Sequence, residues 1–389
     1  MTQSIALGED YPEIRTGVRA ICKNFPGSYW RGLDEKQEYP EAFVTALTEA
    51  GYLGALIPEE YGGTGLPLRA ASVILEEIHR SGCNAAACHA QLYIMGTLLR
   101  HGSAAQKQQF LPGIASGALR LQAFGVTEPS TGTDTTQLKT RAVRDGDHFV
   151  IHGQKVWTSR ALQSDLLLLL ARTSPAAEDK KRGNGLSVFL VDLRDSVGKG
   201  LEIRKLPAMI NHNTTELFFD GLRVPAANLI GEEGKGFRYL LDGLNAERIL
   251  IAAEALGDAR WFIRTATDYA KERIVFDRPI GQNQGVQFPI ARAYAETEAA
   301  ELMLRKAAAL FDAAEACGPE ANIAKLLAAD ASWKAGEACM QTHGGFGLAR
   351  EYDIERKWRE TRLFQIAPIS TNLILAYLGE HVLGMPRSY

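Results

Sequence analysis

The chain has 389 residues, 46% of them apolar and 23% charged, with a net charge of −3 and a pI near 6.3. That is enough apolar material for a sizeable core, and at about 150 residues per domain it suggests two or three domains or one multi-layer unit. The charge balance gives no electrostatic reason to expect nucleic acid or an anionic membrane as a partner. The five cysteines, Cys22, Cys83, Cys88, Cys317 and Cys339, are few, odd in number and scattered, so no disulfide framework is expected. Cys83, Cys88 and His89 match no zinc spacing, so no metal is expected either. Met1 to Tyr11 is acidic without an apolar run, unlike a signal peptide, and the longest apolar stretch, Leu166 to Ala171, is far too short to span a bilayer. The expected location is cytoplasmic.

Residues 10 to about 120 read as helices. Phe43, Leu47 and Ala50 recur at helical spacing, as do Ile74 and Ile78, and Ile57 to Gly63 is a break rich in turn formers. From about 121 to 232 the period changes to that of strands. Phe149–Ile151, Asp165–Arg172, Leu186–Leu193 and Glu216–Asp220 are short, apolar and bounded by turn residues, and Asp145-Gly146-Asp147 reads as a hairpin turn. Thr173 to Asn184 is polar and charged and reads as a solvated loop. From about 233 the helical period returns, over Phe237–Arg273, Val286–Glu315 and Asn322–Met340. Helices, then strands, then helices is the segregated order of an α+β protein.

Four segments carry chemistry. Phe124-Gly125-Val126-Thr127-Glu128-Pro129-Ser130-Thr131-Gly132-Thr133-Asp134 opens the strand zone, and its small residues would let backbone N–H groups and hydroxyls approach an anionic ligand. Gly153-Gln154-Lys155-Val156-Trp157-Thr158-Ser159 follows, with a tryptophan whose flat face suits ring packing. Next come Arg273-Ile274-Val275-Phe276 with Gln284, where a planar, always-charged guanidinium suits a diphosphate. Last is Gln341-Thr342-His343-Gly344-Gly345. Read one at a time, each also has a plain structural explanation: a polar turn, a core tryptophan, a solvated basic turn, a helix end. The cluster Gly344-Gly345-Phe346-Gly347 follows a helix rather than a strand, so it is a poor dinucleotide fingerprint of the Rossmann kind.

In this order, and with the Ile-Pro-Glu-Glu-Tyr-Gly-Gly break, these segments resemble the acyl-CoA dehydrogenase family over roughly residues 10 to 389. The resemblance implies an N-terminal helical domain (1–120), a β-barrel-like middle domain (121–232) and a C-terminal four-helix-bundle domain (233–389). It implies bound FAD, with Phe124, Val126, Thr127, Gly132, Thr133, Trp157, Thr158, Ser159, Arg273, Phe276, Gln284, Gln341, Gly344, Gly345, Ser370 and Asn372 as cofactor-binding positions. Trp157 and Ser159 would lie near the flavin ring, and the segment of Arg273, Phe276 and Gln284 would serve the diphosphate and adenosine, often of a neighbouring subunit. An acyl-CoA substrate, with Thr133, Asn245 and Arg248 in its surroundings, a homotetramer, and an electron-transfer flavoprotein as electron acceptor follow from the same likeness.

The reaction of that family needs a base for the α-proton, an acceptor for a hydride from Cβ, and donors for the thioester oxygen. Many members place the base as a Glu in a Tyr-Glu-Gly-Thr segment near the C-terminus. Aligned without a gap, this chain has Pro368 at that position. A subset carries the base on the first long helix of the C-terminal domain, and Leu244-Asn245-Ala246-Glu247-Arg248 resembles its Leu-Asp-x-Glu-Arg. The residues agree: Leu240, Leu244, Glu247 and Ile251 fall on one helix face, so a carboxylate interrupts an apolar stripe and its helical neighbours offer no opposite charge. Burial there would disfavour ionisation, which suits a base acting near neutrality.

Departures from the family pattern are specific. Pro368 has no N–H to give the thioester oxygen, and Ile369 replaces a Gly. Asp277 replaces the Gly after Phe276, and Arg160 stands where Asn or Gly is usual. Two other functions remain open from sequence: an oxidase, monooxygenase or CoA-thioester desulfinase on the same scaffold, and a non-enzymatic subunit of a mixed tetramer. The acyl chain is not legible.

Overall fold

The computed structural model describes residues 8–175 and 183–387. The readings of residues 1–7 and of the 176–182 part of the expected loop therefore lie outside the described residues. In chain order come helices α1 (Pro12–Cys22), α2 (Gly27–Lys36), α3 (Glu41–Glu49), α4 (Leu68–Arg80), α5 (Ala86–His101) and α6 (Ala104–Ser116). Strands β1 (Leu121–Gly125), β2 (Arg141–Asp145), β3 (His148–Ser159), β4 (Leu166–Arg172) and β5 (Leu186–Asp192) follow, then a short helix α7 (Leu193–Ser196), β6 (Leu201–Lys205), β7 (Thr214–Pro225) and β8 (Leu229–Ile230). Helix α8 (Gly236–Glu272), the small strands β9 (Ile274–Val275) and β10 (Arg278–Pro279), and helices α9 (Gln284–Asp312), α10 (Gly318–His343), α11 (Ile354–Thr361) and α12 (Thr371–Tyr377) complete the chain. The expected α+β order of helices, strands and helices is what the chain forms.

These elements cluster as two compact units. One joins the described parts of Gln37–Leu66 and Ala86–Leu244; the other joins those of Met1–Lys36, Pro67–Ala85 and Asn245–Tyr389. The first unit is built on a sheet of order β6-β7-β3-β2-β4-β5-β8, with β1 running parallel to β4. Strand β4 is buried along Leu166–Ala171, because an apolar run without alternation needs cover on both faces. The β2–β3 hairpin turns at Gly146-Asp147, with Asp145 opposite His148 and Gly146 at φ 59°, as the turn signal predicts. Phe149 and Phe189 meet edge to face at 4.9 Å in the core of this sheet. Strands β2 and β6 carry no apolar signal in the sequence, since Arg141–Asp145 and Leu201–Lys205 are mostly exposed and charged. Charge of that kind keeps an edge strand such as β6 from pairing further.

In the second unit, α9 and α10 pack against each other, and each buries alanines, among them Ala300 and Ala307 on α9 and Ala324 and Ala331 on α10, whose small side chains suit close helix packing. Helix α8 buries three acids on one face, Glu247, Glu254 and Asp258, spaced by seven and four residues. Two of them are tied into a structural cluster. His79 on α4 lies 2.7 Å from Asp258 through Nδ1 and 3.0 Å from Glu254 through Nε2, and Lys357 on α11 bonds the same Asp258. Burial opposes the charge of His79, but Asp258 and the hydrogen bonds to both acids outweigh it and raise its pKa to about 9. No helix among the described residues is long and apolar enough to cross a membrane.

Candidate active site

Two of the motifs meet inside the first unit. Glu128, of the Thr-Glu-Pro segment, is buried and accepts from the backbone N–H groups of Lys139 (2.7 Å) and Thr140 (2.8 Å) and from Lys155 Nζ (2.9 Å). Lys155, on β3, also donates to the carbonyl of Val126 at 2.9 Å, and Val156 N–H donates to the carbonyl of Thr127 at 2.9 Å. Burial would raise the Glu128 pKa, but the Lys155 ammonium and the two N–H donors hold it below the usual carboxylate range. Burial lowers Lys155 to about 8, with Glu128 offsetting part of the penalty. The Glu and Lys of these motifs were not among the candidate site residues, yet they fix the loop that carries Val126 and Thr127.

Trp157 stands next to this lock. Along β3, Lys155 pairs with Leu217 and Thr158 with Thr215, so β3 spends one residue more than β7 over the same interval. The extra residue is a bulge that reverses the inside–outside alternation. Phe149 and Ile151 face inward before it and Thr158 after it, while Trp157 is 59% exposed at φ 61°. A non-glycine residue held there costs on the order of 1–3 kcal/mol, which is strain kept to present a flat ring. Thr158 is buried, and its Oγ1 has no hydrogen-bond partner among the described residues. An orphaned hydroxyl costs about 1–3 kcal/mol, so a polar ligand atom at this place would relieve it. Ser159 is half-buried, Phe124 packs edge to face on Tyr93 at 5.8 Å, and Gly132 and Thr133 are exposed. Arg160, which stands where Asn or Gly is usual in the family, is buried with Nη1 3.3 Å from His212 Nε2.

In the second unit Glu247 is buried on α8, as the apolar stripe with Leu240 and Ile251 predicts. The sequence offered it no opposite charge on its own face; the fold brings cations near. Arg248 gives Nη1 to Asn245 Oδ1 at 2.9 Å, so two of the three candidate substrate-side residues are bonded to each other. Lys325 on α10 is buried, donates to the Ile369 carbonyl at 2.6 Å, and feels the charge of Glu247. Lys325 was missed by sequence reading. The signal for it was a lysine among the buried Ala321, Ala324, Ala328 and Ala329 of one helix.

The remaining candidates fall at the two ends of α10: the Arg273–Gln284 segment lies by its C-terminal end with Gln341, Gly344 and Gly345, whereas Ser370 and Asn372 follow Ile369, which Lys325 holds nearer the N-terminal end. Tyr269, one turn before Arg273, stacks on His343 at 4.0 Å, which brings the end of α8 to Gln341, Gly344 and Gly345. Gly344 ends α10 at φ 56°, ψ −130°, a shape that favours glycine. Strands β9 and β10 form a small hairpin whose turn residues, Phe276 and Asp277, both have positive φ, at 50° and 63°. That turn explains the Gly usual at position 277, and Asp is among the residues that tolerate it. Phe276 is 92% exposed, and Arg273, Gln284 and Gln341 are exposed as well. Ser370 caps α12, its Oγ accepting from Leu373 N–H at 3.3 Å, and Asn372 is exposed.

Three family models match successive stretches: the N-terminal domain of acyl-CoA dehydrogenases over residues 8–118, the middle domain over 123–222 and the C-terminal domain over 234–382. The chain is 35% identical to acyl-CoA dehydrogenase fadE12 of Mycobacterium bovis over 389 residues, 99% of each chain. A solved complex of glutaryl-coenzyme A dehydrogenase with glutaryl-CoA superposes with a TM-score of 0.90 at 31% identity, covering 100% of this chain and 98% of that one. A glutaryl-CoA dehydrogenase of Mycobacterium smegmatis, solved with FADH2, has the same fold at a TM-score of 0.90 and 24% identity, over 100% of this chain and 98% of that one. With all three models in register along one chain and a relative matched end to end, this protein belongs to the acyl-CoA dehydrogenase family.

Proposed function

We propose that the chain catalyses α,β-dehydrogenation of an acyl-CoA thioester with bound FAD, and that Glu247 takes the α-proton. The observation that carries this reading is a buried carboxylate at position 247 in a chain whose residue 368 is proline and has no carboxylate to offer. When bound, FAD supplies a two-electron acceptor for the hydride that leaves Cβ. The exposed face of Trp157 and the hydroxyls of Thr127, Thr158 and Ser159 suit its ring system, Arg273 and Gln284 its diphosphate and adenosine, and the glycines 344 and 345 a close backbone approach. Glu247 acts as a carboxylate, accepts the α-proton and leaves electron density to move towards the thioester carbonyl, where hydrogen-bond donors must meet the growing charge. Pro368 cannot be one of them, so either a neighbouring N–H serves or the oxygen is held differently.

The same reading takes residues 1–120, 121–232 and 233–389 as the three domains of the family and places the protein in the cytoplasm, in fatty-acid metabolism. It also takes the exposed Phe276 hairpin as a contact between subunits of a homotetramer, and an electron-transfer flavoprotein as the acceptor. The test is an anaerobic titration of the FAD-loaded protein with a panel of acyl-CoAs, followed by flavin absorbance, for wild type and Glu247→Gln. Bleaching of wild type, with the variant keeping FAD but failing to bleach, is the expected result. Bleaching of both at similar rates would remove Glu247 from the mechanism. Fast reoxidation of the wild type by oxygen would point instead to an oxidase or monooxygenase on this scaffold.

A further inference from the structure

Lys325 is among the largest fully buried side chains, set in an alanine-lined stretch of α10. A buried ammonium is costly unless something holds it. Burial does lower its pKa, to about 8; Asp330 and Glu247 favour its charge, and Arg248 opposes it. It donates a short hydrogen bond, 2.6 Å, to the carbonyl of Ile369, the residue after Pro368. A peptide unit is planar, with C=O and N–H pointing opposite ways. Holding the Ile369 carbonyl therefore also sets the direction of the Ser370 N–H, in the segment where Pro368 removed a donor. The other cation beside Glu247, Arg248, is half committed: it bonds Asn245, and it feels Tyr377 and Cys317 as well as Glu247.

We propose that Lys325 is a positioning residue for α-proton abstraction, pinning the Ile369–Ser370 peptide and supplying the positive charge that offsets the Glu247 carboxylate. The inference rests on Glu247 being the base. In the step concerned, the α C–H bond breaks, the proton passes to the Glu247 carboxylate, and the electron pair stays with the thioester enolate. The return of a proton reverses it.

That step can be isolated with an acyl-CoA analogue carrying sulfur in place of Cβ, which has no β-hydride to lose. The FAD-loaded wild type, Lys325→Met, Lys325→Gln, Lys325→Arg and Glu247→Gln are incubated with it in D2O. Deuterium uptake at Cα is read by mass spectrometry across pH, alongside analogue binding, FAD content and thermal midpoint. With the cation gone, Lys325→Met and Lys325→Gln should exchange about tenfold more slowly at neutral pH. Their acid limb should move up by about one pH unit, the size expected for loss of a nearby opposite charge. Lys325→Arg should return the limb to within a few tenths of wild type. A purely packing role would lower the thermal midpoint without moving the limb. If Lys325→Met fails to hold FAD, Lys325→Gln carries the comparison. An unmoved limb with rates within about twofold of wild type overturns the proposal while leaving the base reading intact, provided Glu247→Gln has lost exchange. Exchange that persists in Glu247→Gln overturns the base reading itself, and the proposal with it.

Discussion

Glu128 and Glu247 are equally hidden from water, at 5% and 4% exposure, but their surroundings differ in kind. Glu128 is enclosed by donors aimed at it: two backbone N–H groups and a lysine ammonium, all within 2.9 Å. Around Glu247 the cations are turned to other acceptors, Arg248 to Asn245 and Lys325 to the Ile369 carbonyl. The first carboxylate has spent its hydrogen-bonding capacity on holding a loop. The second lies within reach of the charge of Lys325 and Arg248, both of which also bond other groups. A family resemblance places both residues in motifs; the contacts show that one of them, Glu128, is spent on holding a loop.

Exchanging the two by mutation gives the largest contrast. Glu247→Gln should slow flavin reduction by roughly 10²–10⁴-fold, the range typical of a lost general base, with little change in unfolding free energy. Stopped-flow absorbance and urea unfolding on one preparation check both halves. Glu128→Ala should do the reverse in stability, costing about 3–5 kcal/mol because Lys155 is left charged and buried without its partner. Lys155→Met should cost a similar amount, since it strands the Glu128 carboxylate. The double variant should cost less than the sum, as contacting residues do not add. A fully additive pair in denaturant melts would mean that the two side chains do not act as one unit.

Much of this was legible from the sequence, and the boundary is a physical one. Helices α8, α9 and α10 declare themselves by apolar period and length, and β4 by an unbroken apolar run, because those signals are local. The burial of Glu247 could be read from Leu240, Leu244 and Ile251, which share its helix face. Contacts across the chain could not be read in this way. Lys325 reaches Ile369 from 44 residues away, and Glu128 meets Lys155 from 27. The exposure of Trp157 depends on a bulge, and a bulge is set by register against β7 rather than by the residues of β3 alone. Asp277 stands out in the sequence only as a replacement of the usual Gly; the structure gives the position its meaning, as the second residue of a left-handed turn.

The same contrast predicts a pH dependence. The folded-state pKa of Glu128 lies below its ordinary value of 4.5, so its contribution to stability is present above that value and is lost as pH falls through the lower, folded one. Measured by urea midpoint, the gap between wild type and Glu128→Gln should be constant from neutral pH down to about 4.5 and should then close, because protonation makes the wild-type side chain resemble the variant. A gap that stays open through that range would place the origin of its stabilisation outside the carboxylate's charge.

The smallest expected effect concerns the hairpin, where strain rather than charge is at issue. Phe276 and Asp277 sit at φ 50° and 63°, both in the left-handed region. For most L-residues that conformation costs roughly 1–2 kcal/mol, less for Asp and nothing for Gly. Asp277→Gly should therefore relieve strain but widen the choices of the unfolded chain, and these partly cancel. The net is a gain of about 0.5 kcal/mol, read as a rise in the urea midpoint. Asp277→Ala removes the side chain without the freedom and should lose stability by a similar amount. The sign difference between the two is the informative result. If both variants gain, the anion at 277 is what the hairpin resents, and the left-handed turn is tolerated without cost. If Gly gains and Ala loses, the backbone shape governs this position, and Asp stands here as a workable substitute for the glycine that the turn prefers.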